Sequence, residues 1–125
     1  VKYILGYLYF SLGQFEKAKQ PLDAVRQTVG DLYYVDANYY YGFIAFKEKN
    51  YPVALSCFEI AKVAEAYGKL IPFYNAQIYY FTGNAEKALS TALDALKSGN
   101  QYYEKPLQQL VGRLLFAKND FTGAR

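Results

Sequence analysis

The apolar residues of the stretch NYYYGFIAFKEKNYPVALSCF, Asn38 to Phe58, recur at helical rather than alternating spacing. Tyr39, Phe43 and Phe46 stand at i, i+4 and i+7 on one face of a helix, while Tyr41, Gly42 and Ala45 share another. One helix cannot bury both faces within its own hairpin, so part of this aromatic set must meet a neighbouring segment, a partner or solvent. A polar break from Lys47 to Asn50 follows, and a second periodic run opens at Pro52.

The same order returns along the chain. GQFEKAKQPL (Gly13–Leu22), KNYPVALSCF (Lys49–Phe58), GNAEKALSTA (Gly83–Ala92) and NDFTGAR (Asn119–Arg125) each open with a turn and reach an alanine. Those alanines, Ala18, Ala54, Ala88 and Ala124, are separated by 36, 34 and 36 residues. At one fixed offset upstream lies a second small residue: Gly6, Gly42, Ala76 and Gly112. The spacing predicts first helices over Lys2–Leu12, Tyr34–Glu48, Ile71–Phe81 and Glu104–Ala117. It predicts second helices over Phe15–Val29, Pro52–Tyr67, Glu86–Ser98 and from Phe121 onward. Gly13, Gly30, Gly68, Gly83 and Gly99 fall at the expected helix ends, and Asn50, Asn84 and Asn119 fall in the turns. Pro52, Pro72 and Pro106 lie near helix starts. Pro21 lies about two turns into a second helix, which predicts a kink or a later start. The small residues suit a close crossing of paired helices. Glycine inside a helix costs about 1 kcal/mol relative to alanine, so its recurrence implies that close packing offsets the cost.

This pattern resembles the tetratricopeptide repeat, a helix–turn–helix of about 34 residues marked by W-x2-L-G-x2-Y, A-x3-F and P. The matching pieces are Leu5-Gly6-x2-Tyr9 with Ala18-x3-Leu22, Tyr41-Gly42-x2-Ala45 with Ala54-x3-Phe58, and Asn75-Ala76-x2-Tyr79 with Ala88-x3-Ala92. The fourth is Val111-Gly112-x2-Leu115, then Phe121 and Ala124. The tryptophan slot departs from the family, holding Asn38, Pro72 and Gln108, and the proline slot holds Gly30, Ala66 and Asn100. The resemblance implies an all-α fold, a right-handed superhelix of antiparallel helix pairs, as a single α-solenoid domain over 1–125. Its units would be 1–32, 33–68, 69–102 and a truncated 103–125. Neither end resembles a polar capping repeat, so the chain reads as a piece of a longer array whose exposed terminal helices are open to self-association.

In that family the first helices line a concave face that binds extended peptides or partner helices. By matching position, the candidate groove residues are Tyr3, Tyr7 and Phe10, then Tyr39, Phe43, Phe46 and Lys47, then Phe73, Gln77, Tyr80 and Arg113. Asp36, Leu70, Phe81, Gln109 and Phe116 share the same faces. The family's carboxylate clamp of lysines and asparagines is absent: its positions hold Tyr3, Tyr7, Tyr40, Leu70 and Tyr74. A ligand is therefore expected to meet aromatic rings, with Lys47, Gln77 and Arg113 as polar accents. The alternative is a structural spacer in which neighbouring repeats bury the stripe, since apolar stripes at helical spacing are more often core.

Composition narrows the function further. Tyrosine (15) and phenylalanine (9) are abundant, and tryptophan is absent. This Tyr-rich style is similar to long repeat proteins of the bacterial envelope, which favours the periplasmic side of the envelope over the cytoplasm. The net charge of +3 is spread along the chain with no basic track, so no nucleic-acid partner is expected. No apolar run is long enough to span a bilayer. One cysteine and no histidine leave no Cys/His zinc site and no histidine acid–base chemistry. No cofactor is expected, and the chain is not expected to be an enzyme. Cys57 reads as a small buried hydrophobe. Glu48 with Asp36, and Asp94 with Glu86, are carboxylate pairs of the kind common on solvated helices. Asp23, Arg26 and the other alternating charges of the second helices read as a solvated convex face.

Overall fold

A computed structural model describes residues 2–99 and 103–123, with side chains to Phe116. The chain is all-helical. The helices are α1 (Lys2–Ser11), α2 (Phe15–Arg26), α3 (Tyr34–Lys47), α4 (Tyr51–Ala61), α5 (Glu65–Gly68), α6 (Ile71–Phe81), α7 (Ala85–Ser98) and α8 (Glu104–Gly123). They fall into two compact units, Val1–Tyr67 and Gly68–Arg125.

The tight turns are the most regular feature of both units. After α1, the Gly13 N–H donates to the Phe10 carbonyl at 3.0 Å and the Gln14 N–H to that of Tyr9 at 2.9 Å. After α3 the same two bonds run from Lys49 to Phe46 (3.1 Å) and from Asn50 to Ala45 (2.8 Å). After α6 they run from Gly83 to Tyr80 (3.3 Å) and from Asn84 to Tyr79 (2.8 Å). This is the Schellman pattern, which satisfies helix-end carbonyls through one left-handed residue. Gly13 (φ 77°), Lys49 (φ 65°) and Gly83 (φ 85°) are that residue. The next residue then opens the following helix, its carbonyl accepting from Ala18, Ala54 or Ala88 at 3.1, 3.0 and 3.0 Å. Asn84 also caps with its side chain, accepting from Lys87 N–H at 3.2 Å.

Each turn folds the second helix back on the first. Ala18, Ala54 and Ala88 are fully buried. A methyl group on Gly6 would lie 2.7 Å from Leu22 Cγ, and one on Gly42 would lie 2.9 Å from Cys57 Cβ. The first and third hairpins share a cation–π contact, Lys17 over Tyr9 at 5.9 Å and Lys87 over Tyr79 at 4.9 Å. The core of the first unit joins Ala18, Leu22, Val25, Ala37 and Ile44. That of the second joins Ala76, Ala88 and Ala92 to Leu107, Leu110, Val111 and Leu114 of α8. The sequence of α3, YVDANYYYGFIAFK, is rich in weak helix formers. Its helix is held by tertiary packing rather than by propensity.

Three expectations are corrected. The second helix expected over Pro52–Tyr67 ends at Ala61, and the short α5 follows. Val63 faces solvent at 75% exposure, so nothing rewards continuing the helix, while Tyr67 turns inward to stack on Tyr39. The helix α2 starts at Phe15 and runs through Pro21, so of the two outcomes expected there the later start is not seen, and it ends at Arg26, short of the expected Val29. Finally, α8 continues through Asn119, where a turn and a second helix from Phe121 were expected. Among the described residues, a methyl group on Gly112 would meet nothing within 4 Å, so none of them packs a second helix there to reward a turn. Ala124 lies outside the described residues.

Candidate functional site

The second unit holds an open cleft of about 200 Å³ between α6 and α8. From α6 it takes Phe73, Gln77, Tyr80 and Phe81, at i, i+4, i+7 and i+8 of one face. From α8 it takes Pro106, Gln109, Leu110 and Arg113, again along one face. Leu110 belongs to the core and forms the apolar floor. Tyr80 and Phe81, with ring centroids 5.7 Å apart, are 37% and 55% exposed. Phe73 is backed by Tyr103 at 4.7 Å and Tyr74 at 6.0 Å. The two tyrosine hydroxyls behind it are 3.3 Å apart. The lining thus combines rings, two amides and one guanidinium.

Four of the eleven candidate groove residues, Phe73, Gln77, Tyr80 and Arg113, meet at this cleft. Phe81 and Gln109, which share the same expected helix faces, join them. Pro106 and Leu110 were not among the candidates. Pro106 reads from sequence as helix-start punctuation, and only the cleft shared by α6 and α8 makes it and Leu110 a wall.

In the first unit the candidate rings pack on one another. Phe10 of α1 meets Tyr40 (4.8 Å) and Phe43 (5.5 Å) of α3, and Phe15 of α2 (5.2 Å). Tyr7 meets Tyr40 edge-on at 5.4 Å, and Tyr3 stacks on Tyr33 at 4.3 Å. Tyr3, Phe10, Phe43 and Phe46 are consequently half-buried. Tyr7 keeps 40% exposure. Lys47 is exposed, its ammonium 5.5 Å from the Phe43 ring centre. Tyr39, expected on the open face, is only 8% exposed beneath Tyr67, whose ring stacks on it at 4.2 Å. The Tyr67 hydroxyl donates to Asp36 Oδ1 at 2.5 Å, a charge-assisted bond. Burial first, then this bond, pushes the Tyr67 phenol far above its ordinary range. Burial likewise raises Tyr3 and Tyr40. The Tyr67 anchor was not legible in the sequence, because it depends on α4 stopping early.

The pairing of Glu48 with Asp36 does not form. Asp36 is taken by Tyr67, and Glu48 by Lys19 at 3.1 Å. Arg26, expected on the solvated face, is partly buried. It donates to Asp23 at 2.7 Å, lies 4.2 Å over the Tyr41 ring, and reaches Cys57 Sγ at 3.9 Å. Cys57 is fully buried, and burial pushes its thiol up to about 11 against the opposing pull of Arg26. It stays protonated, and a poor nucleophile, at neutral pH. Asn38, in the tryptophan slot, is fully buried and donates to the Arg26 and Tyr34 carbonyls at 3.1 and 2.8 Å. It thereby ties the end of α2 to the start of α3, a bridge that the motif gives no hint of.

The outer face of α1 and the residue that follows it expose Ile4, Leu5, Leu8 and Leu12 at 45–68%. Among the described residues, no helix is long and apolar enough to cross a membrane. No protein-family model, no curated protein and no solved structure matches this chain.

Proposed function

We propose that the chain is a protein-interaction scaffold of the tetratricopeptide type and that it holds an extended peptide or partner helix against the first-helix faces. One observation carries the reading. Six residues expected on those faces, Phe73, Gln77, Tyr80, Phe81, Gln109 and Arg113, line a single open cleft. Its chemistry suits holding a chain: rings for apolar side chains, amides for backbone groups, and a cation for orientation. The repeated turns and buried alanines at matching spacings support the repeat architecture.

The first unit favours the spacer role for its own share of the stripe, because its candidate rings are consumed by ring-on-ring packing. Binding is therefore assigned to the second unit. A random-peptide display selection tests it, with Phe81→Ser as the counter-target after circular dichroism shows equal helicity. Selected peptides should bind the wild-type chain about tenfold more tightly than Phe81→Ser, as loss of an aromatic anchor implies. Enrichment of no peptide, or equal binding to both proteins, would leave only the spacer role.

A further inference from the structure

The charge of the cleft is one-sided. Among the described residues, Arg113 is the only ionised side chain lining it, and no aspartate or glutamate does. Arg113 is exposed and forms none of the salt bridges found among the described residues. Arg26 of the first unit is the contrast, with its guanidinium held by Asp23 at 2.7 Å and laid over Tyr41. Arg26 is satisfied internally, whereas Arg113 presents an uncompensated planar fork beside exposed rings, a geometry matched to a carboxylate.

The polar neighbours restrict the ligand's shape. Gln77 and Gln109 each carry both donors and an acceptor, which suits backbone N–H and C=O groups. An extended segment leaves those groups free, whereas a helix satisfies them internally. A volume of about 200 Å³ fits one apolar side chain with flanking backbone, not the face of a helix. Leu110, in the floor, and Arg113 are three residues apart, about 4.5 Å along α8. Two residues of extended chain span about 6.6 Å, and the long arginine side chain covers the difference.

We infer that the α6/α8 cleft selects an extended acidic peptide segment. An apolar side chain enters between Phe73, Tyr80 and Phe81, and a carboxylate two residues away in the ligand pairs with Arg113. This inference rests on the peptide-binding reading above. A phosphate backbone fits less well, because polynucleotide binding draws on several cations along a track and the cleft has one.

The test is an array of synthetic hexapeptides on the whole chain, each with one Phe fixed and Glu, Gln or Lys placed one, two or three residues from it. Glu should outbind Gln by about three- to fivefold, the span of an exposed ion pair, with Lys weakest and the two-residue spacing best. Arg113→Glu should invert the order of Glu and Lys, read as the ratio of their affinities for the same protein. Arg113→Gln should abolish the preference without inverting it. Position 113 is exposed, so both variants should match the wild-type far-UV spectrum. Equal binding of Glu, Gln and Lys peptides would overturn the acidic selectivity and leave peptide binding standing. Binding of no peptide would remove both. Displacement of the Glu peptides by an equal concentration of a single-stranded thymidine oligonucleotide would overturn the assignment in favour of a phosphate ligand.

Discussion

Gly42 and Gly112 occupy equivalent positions in the sequence pattern but different surroundings. At Gly42 a methyl group would sit 2.9 Å from Cys57 Cβ and from Phe58 Cε1, both on the paired helix. At Gly112 it would meet nothing. Alanine at either site gains about 1 kcal/mol of helix propensity. At Gly42 the overpacking cost of about 1–3 kcal/mol outweighs that gain. Chemical denaturation should therefore show Gly42→Ala destabilised by about 1–2 kcal/mol and Gly112→Ala stabilised by up to about 1 kcal/mol. Equal shifts of one sign would mean that both glycines answer to propensity alone. The repeat spacing singles out the glycines, but only the packing tells the crowded one from the open one.

At the scale of elements, the hairpin turn is the unit that repeats. Two of its three copies place glycine at the left-handed position, and the middle copy places Lys49 there. A side chain in that conformation costs about 1–2 kcal/mol. Glycine removes that strain at the expense of a more flexible unfolded chain. Lys49→Gly should raise stability by about 0.5–1 kcal/mol, read from the denaturation midpoint at unchanged m-value. A loss would mean that the Lys49 side chain contributes more than its backbone strain costs. The turns were legible because glycine and asparagine recur at fixed distance from the buried alanines, and the ends of α6 and α7 followed from them closely. What was not legible depended on distant contacts. The early stop of α4 answers to the pull of Asp36 and Tyr39 on Tyr67, and α8 runs on where, among the described residues, no helix packs at Gly112.

At the scale of the whole molecule, the aromatic stripe divides into two kinds of surface. In the first unit Phe10, Tyr40 and Phe43 form a packed set of rings, and Tyr39 is covered by Tyr67. In the second unit Tyr80 and Phe81 stay exposed at the rim of a cleft that ends in Arg113, which forms none of the salt bridges among the described residues. Periodicity could not separate the two, because both stripes share one helical spacing. They differ in which neighbouring rings close over them. The proposed binding function therefore rests on the second unit, and the most direct measurement is a backbone amide NMR titration of the chain with a display-selected peptide. Shifts clustered on Phe73, Gln77, Tyr80, Phe81, Gln109 and Arg113 are the predicted result. Shifts confined to the exposed face of α1 and the residue that follows it, at Ile4, Leu8 and Leu12, would contradict it.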